Sequence, residues 1–288
     1  MSAMTLTLRL ARPEDAEACG EICFEAFKSI AQAHNFPPDF PSVELAREII
    51  ARLIAHHGFH GVVAELDGRI VGSNFLDERG AVAGIGPITV HPSAQNGGVG
   101  QRLMAHVLER ARAPRFRGVR LVQAAYHNRS LCLYSKLGFD ARAPLSLMQG
   151  PPIGITLPGR TVRPARTEDL DDCNRLCERV HGHHRGGELK DAIANGTASL
   201  VERDGRIAGY ATVIALFGHA VGGHNADLKA LIAAAPAFGG PGFLLPTTNG
   251  ELLRWCLAHG LKVVQPMTLM TMGFYQEPAG PYLPSIYL

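Results

Sequence analysis

Three glycines, Gly97, Gly98 and Gly100, fall within four positions of the segment HPSAQNGGVG, residues 91–100. The segment sits between an apolar run and an amphipathic helix, where a turn seldom needs more than one glycine. The first N–H groups of a helix lack intrahelical partners, and the aligned peptide dipoles place partial positive charge there. Glycine removes the Cβ atoms that would keep a ligand off that backbone. Strand, then QNGGVG, then helix is therefore a site on which phosphate oxygens can rest. It is not a Walker loop, because the Lys-Ser/Thr pair is missing, and it lacks the GxGxxG spacing of dinucleotide sites. The glycines alone are also compatible with a turn that simply needed glycine conformations.

The elements that would hold this segment read as mixed α and β. Strand patterns occur at residues 6–10, 61–66 and 70–76, with Asp67-Gly68 marking a hairpin between the last two. Residues 81–90 read as a longer strand interrupted by Gly84, Gly86 and Pro87; a proline cannot donate to a sheet ladder, which predicts a bulge or an unpaired stretch. Residues 101–113 read as a helix with Leu103, Val107, Leu108 and Ala111 along one face, ended by Pro114. A strand over 119–126 follows, and Asn128 reads as the N-cap of a short helix that stops before Gly138.

The chain is written twice. LRLARPEDAEACGEIC (8–23) aligns without gaps on VRPARTEDLDDCNRLC (162–177), ELDGRIVG (65–72) on ERDGRIAG (202–209), and PLSLM (144–148) on PMTLM (266–270). The period is far longer than that of solenoid repeats, so each copy is expected to be a whole α+β domain. The expected division is residues 1–150, a Pro/Gly-rich connection over 151–160, and residues 161–288.

Composition narrows the classes. Hydrophobic residues make up 46% of the 288 residues and charged ones 19%, enough for packed cores and against disorder. A formal net charge of +2 carries no basic footprint for nucleic acid. No uninterrupted apolar stretch approaches a membrane span, and the N-terminal residues lack a signal-peptide pattern, so a cytoplasmic protein is expected. Six cysteines, including Cys19/Cys23 and Cys173/Cys177 at helical spacing, read as buried thiols rather than metal ligands, even with His181, His183 and His184 close to the second pair. No metal is expected.

Taken together, these residues resemble the GNAT superfamily of acyl-CoA-dependent N-acetyltransferases. That family's phosphate loop runs Gln/Arg-x-x-Gly-x-Gly/Ala, matched here by Gln95, Gly98 and Gly100. PITVHP (87–92) looks like its central strand, NRSLCLYSKLGF (128–139) like its second signature, and the opening LRLARPEDAEA like its first strand and helix. The resemblance covers residues 6 to about 150. It implies tandem GNAT-like domains, each a mixed, mostly antiparallel sheet flanked by helices, with acetyl-CoA as co-substrate.

By that resemblance the backbone amides of Asn96, Gly97, Gly98, Val99, Gly100 and Gln101 would cradle the coenzyme pyrophosphate. Thr89 and Val90 would lie along the pantetheine arm, with the Val90 backbone pairing to it, and Asn128 would touch the same arm. The Ile88 N–H would face the thioester carbonyl and stabilise the oxyanion formed when an amine attacks. Tyr134 matches the general acid that protonates the departing thiolate, a task suited to a phenol.

The sequence departs from the family at the general base, where some members carry Glu and this chain has Gly84. An ordered water, His91, His127 or the terminal carboxylate of Leu288 are the alternatives. In the second copy the loop is replaced by GHAVGGHNADLKALIAAA, Asp227 brings negative charge to the helix start, and Trp255 stands for Tyr134. That copy is expected to have lost the coenzyme site. The proline-braced segment AQAHNFPPDFPS (31–42) and the tail PAGPYLPSIYL (278–288) are expected either to border an acceptor or to be structural. The expected acceptor is a small-molecule or peptide amine, and a homodimer is compatible with the reading. A non-catalytic acetyl-CoA-binding module is the alternative.

Overall fold

A computed structural model describes residues 5–287. They form two compact units, one running to Glu78 and including Ala83–Val119, the other made of Arg79–Val82 and Arg120–Leu288. The Leu288 carboxylate considered above lies outside the described residues.

The first unit holds strands β1 (Leu6–Leu10), β2 (Phe59–Leu66), β3 (Arg69–Asp77), β4 (Val82–Ile85) and β5 (Thr89–Val90), with helices α1 (Ala16–Ala33), α2 (Val43–Ala55) and α3 (Val99–Arg110). The strands run in the order β1-β2-β3-β4, antiparallel where paired, with β5 also on β3. The Asp67-Gly68 turn closes the β2–β3 hairpin with φ of 51° and 78°, the twist-matched conformation that these residue types favour. The strand expected over 81–90 splits into β4 and β5 around the cis Gly86–Pro87 bond. Ile22, Ile50, Phe75, Leu103, Met104 and Val107 are buried in this unit. Helices α1 and α2 pack so closely that a Cβ on Gly20 would stand 2.4 Å from the Arg47 Cα.

The second unit begins in β6 (Gly118–Ala124) and continues through α4 (Asn128–Lys136), β7 (Asp140–Gln149), β8 (Thr161–Pro164), α5 (Leu170–His181), α6 (Gly186–Ala194), β9 (Ser199–Arg203), β10 (Arg206–Ala211) and β11 (Ala220–Gly222). It ends with α7 (Asn225–Ala234), β12 (Phe243–Pro246), α8 (Gly250–Ala258), β13 (Lys262–Gly273) and β14 (Tyr282–Leu283). One run of strands has the order β6-β13-β7-β12 and the other β14-β11-β10-β9-β8. Thus β7, the last strand of the first sequence copy, pairs with β12 and β13 of the second. The matched segments PLSLM and PMTLM face one another, with Leu145 opposite Met267, so equivalent residues meet about a local two-fold. The repeat in the sequence and the compact units consequently divide the chain at different places.

The repeat is also visible in a three-residue device. Arg9 grips Asp15 at 2.7 and 2.8 Å and Glu65 at 2.8 Å, while Asp15 accepts the Arg12 N–H at 2.7 Å. Arg163, Asp169 and Glu202 repeat this at 2.7, 2.8 and 2.8 Å, with the Arg166 N–H at 2.8 Å. Hydrogen bonds from the arginine hold the carboxyls of Asp15 and Asp169 below the usual carboxylate range. In both copies this pins the first strand to the start of the first helix, above a pair of fully buried cysteines.

Because Arg47 backbone meets the missing Cβ of Gly20, relief requires the two helices to separate. Gly20→Ala should destabilise the fold by about 1–3 kcal/mol, read as a lowered Tm or urea midpoint at unchanged m-value.

Candidate functional site

Helix α3 starts at Val99, two residues earlier than its sequence pattern suggests, so its first turn lies inside the glycine segment. Gly98 is the N-cap, in the left-handed region with φ of 79°, and supplies no side chain to cap the helix. Asn96 also adopts positive φ, 68°. The N–H groups of Gly97, Gly98, Val99, Gly100 and Gln101 meet no acceptor among the described residues. A Cβ built on Gly98 meets nothing within 4 Å, and one on Gly97 only the Ala94 carbonyl at 3.6 Å. The result is a row of bare donors at the positive end of a helix dipole, open to a multiply charged anion. These residues fit a diphosphate.

Gln95 ties the segment to the sheet, since its Nε2 donates to the Val90 carbonyl at 3.2 Å. His91 N–H donates to the Val71 carbonyl at 2.8 Å, so ladder alternation turns the polar groups of Val90 to the edge away from β3. With that carbonyl held by Gln95, the Val90 N–H is the group left for an extended ligand. Thr89 is buried opposite Ser73, their hydroxyls 3.4 Å apart. Ile88 lies between β4 and β5, and its N–H meets no acceptor among the described residues.

The second unit supplies the other signature. Asn128 is the first residue of α4, with His127 at the N-cap position, one residue off the sequence expectation. In the second copy the matching Asn249 does cap its helix, accepting the Leu252 N–H at 3.2 Å. Tyr134 is buried, edge-on to Phe139 with ring centroids 6.2 Å apart. Burial pushes its phenol far above the ordinary value, so it keeps its proton.

Of the proposed bases, His91 is exposed and accepts the Ser93 N–H on Nδ1 at 3.2 Å, which leaves the proton of the neutral ring on Nε2. The sequence reading overlooked Asp77, a buried carboxylate at the end of β3 directly across from Gly84. Cross-strand neighbours share a face, so Asp77 stands beside the position where some GNAT members carry Glu. Only the strand register reveals this.

The second copy shows the opposite arrangement at α7. There the His224 N–H donates to Asp227 at 2.9 Å, and Arg160 and Arg203 pair with the same carboxylate at 2.9 and 3.3 Å. Asp227 is fully buried. The start of α7 thus carries an internal carboxylate where the start of α3 carries none. Cys19, Cys23, Cys173 and Cys177 are buried free thiols, and among the described residues no group of His, Cys, Asp and Glu is placed to hold a metal. No helix among them is long and apolar enough to cross a membrane.

The fold and the glycine-capped helix define an acetyltransferase-like α+β protein. Residues 24–139 match the Acetyltransferase (GNAT) family, so the chain carries a GNAT acetyltransferase domain whose general chemistry is acyl transfer. No curated protein matches the chain at significance. Among solved structures it is similar to a candidate acetyltransferase from Pyrococcus horikoshii, at 19% identity and a TM-score of 0.74, covering 98% of this chain and 95% of that one. A GCN5-related N-acetyltransferase from Sphaerobacter thermophilus aligns at 17% identity and a TM-score of 0.62, covering 94% and 96%. A GCN5-related glucosamine N-acetyltransferase region of a fungal multi-domain β-N-acetylglucosaminidase aligns at 14% and 0.61, covering 94% of this chain and 38% of that one. Over nearly its whole length this chain therefore shares the fold of the first two of these proteins.

If the bare amides are the phosphate site, a carboxylate introduced among them should compete for the same donors. Gly98→Glu also forces a side chain into left-handed backbone. We expect acetyl-CoA affinity to fall about 100-fold or more, ~2.7 kcal/mol, by calorimetry, while circular dichroism stays native because the substituted position faces open space.

Proposed function

We propose that the chain transfers an acetyl or short acyl group from coenzyme A to a primary amine, a small molecule or peptide, by direct attack of the amine on the thioester. The single observation that carries this reading is the row of unpartnered N–H groups from Gly97 to Gln101 beneath an open Gly98. Asn96 and Gln95 shape that row, and the diphosphate of the coenzyme is the anion it suits.

Thr89 and Val90 line the pantetheine arm, with the Val90 N–H donating, and Asn128 supports the same arm. The Ile88 N–H donates to the thioester oxygen as negative charge builds there, an effect worth about 3–4 kcal/mol where a single such donor has been removed. Coenzyme A supplies the activated acyl group; the protein positions it and manages the protons. Tyr134 keeps its proton until the sulfur departs and then donates it. The second copy, whose α7 is closed by Asp227, binds no coenzyme and serves as a structural partner.

The test is thiol release from acetyl-CoA against a broad amine panel. Tyr134→Phe should lower kcat by about 10²–10⁴-fold with acetyl-CoA affinity unchanged. Because burial raises the phenol, Tyr134 deprotonation should not bring activity down on the alkaline side below about pH 10, the ordinary tyrosine value. A second reading rests on Gly84 standing where a base is expected: tight acetyl-CoA binding with no amine turned over would mark a sensor instead.

A further inference from the structure

Within the second unit, one buried arginine is treated unlike the others. Arg163, and Arg9 in the first unit, are partly exposed, and each grips an aspartate and a glutamate, the Nε donating to the glutamate at 2.8 Å in both cases. Arg185 is buried but pairs with Glu188, which also accepts from Thr212 at 3.2 Å and lies 3.2 Å from the His219 ring. Arg120, on β6, is 3% exposed. Its Nε and Nη2 are fully buried and have no hydrogen-bond partner among the described residues. Burial and the neighbouring Arg185 push it down to about 10, so it remains a cation at neutral pH. Leaving a buried charge unpaired costs several kcal/mol.

Two imidazoles share this environment. His181 Nδ1 and His183 Nε2 are also buried, with no hydrogen-bond partner among the described residues. The Arg120 charge acts on both rings, and burial keeps both neutral. His183 Nδ1 lies 3.2 Å from the His184 carbonyl. A carbonyl can only accept, so Nδ1 carries the proton and Nε2 offers a lone pair. Consecutive aromatic residues join the two groups: Phe274 stands edge-on to His183 at 6.2 Å, and the Tyr275 ring lies 5.9 Å from Arg120.

We infer that Arg120, with His181 and His183, binds a small molecule bearing a carboxylate, and that this molecule is an amino acid-like acceptor. The chemistry is specific. Two parallel donors on one guanidinium edge match the two oxygens of a carboxylate. Glu188 already neutralises Arg185, so a single negative charge balances what remains, which favours a carboxylate over a phosphate dianion. The bare His183 Nε2 accepts from a donor on the same molecule, as an amino group provides. That the bound molecule is the acceptor rests on the acyltransferase reading; that a carboxylate binds does not.

The test uses the full chain, with common L-amino acids against their matched carboxamides. Thiol release should favour the acids by about 100-fold in kcat/KM. Arg120→Gln should collapse that preference while acetyl-CoA affinity stays unchanged. Equal use of acids and amides by the native protein would overturn the inference and leave the acyltransferase reading standing. If acetyl-CoA binds but no amine reacts, the acyltransferase reading fails. Calorimetry with the same acids then decides the site: binding lost in Arg120→Gln supports it, and no binding to the native protein overturns it. Arg120→Met controls for folding, since an apolar side chain of similar size removes an unpaired charge and should not lower Tm. A Tm lowered in this variant would mark Arg120 as structural and overturn the assignment.

Discussion

A helix must find acceptors for the N–H groups of its first turn, and the two copies of this chain meet that demand in opposite ways. At α7 the answer is internal: Asp227 accepts the His224 N–H and is itself held by Arg160 and Arg203. At α3 the residue in front is Gly98, which has no side chain to turn back on the helix. The donors there point outward, and only something from outside can satisfy them while keeping the chain in that conformation. Gln95 contributes from the side, bonding to Val90 and so coupling the loop to the strand that precedes it. The two helix starts thus differ by one carboxylate and one glycine: Asp227 turns back on α7, and Gly98 leaves α3 uncapped.

The duplication is not a matter of two domains in tandem that happen to touch. Strand β7 belongs to the first sequence copy but finds its ladder partners, β12 and β13, in the second. Backbone polar groups of a buried strand must be paired, so those partners cannot be dispensed with. The second copy thus has a structural role whatever it binds, because it completes the ladder of β7. Leu145 facing Met267 places equivalent residues opposite one another, the arrangement expected when two copies exchange their last strands symmetrically.

Much of this was legible in the residues. The hairpin turns, the repeat and the glycine loop have strong local causes: Asp-Gly pairs that tolerate positive φ, an arginine and two acids at matched offsets, three glycines before an amphipathic helix. Boundaries were less legible. Helix α3 begins two residues early because Val99 and Gly100 can join a helix once Gly98 turns the chain, and periodicity carries no record of that turn. The split of residues 81–90 into β4 and β5 was signalled by Pro87, but its position was not. Strand exchange has no local signature, since a strand's pattern states which face is buried and not which partner pairs with it. For the same reason Asp77 escaped notice, its relevance arising only from lying across the ladder from Gly84.

The arginines carry the same lesson into energetics. Arg9, Arg163 and Arg185 each sit beside a carboxylate supplied by the chain, and each can be understood as holding elements together. In sequence Arg120 looks no different from them. Arg120 has the Tyr275 ring 5.9 Å away, but its Nε and Nη2 meet no hydrogen-bond partner among the described residues. Stability alone would replace it, since apolar substitutions for buried ions are often neutral or favourable. The cost is rational if the missing partner arrives with a ligand, because a charge already desolvated and oriented loses less on binding than one taken from water. The cradle at α3 follows the same physics with the opposite partner: donors left unsatisfied by the chain are donors reserved for something else.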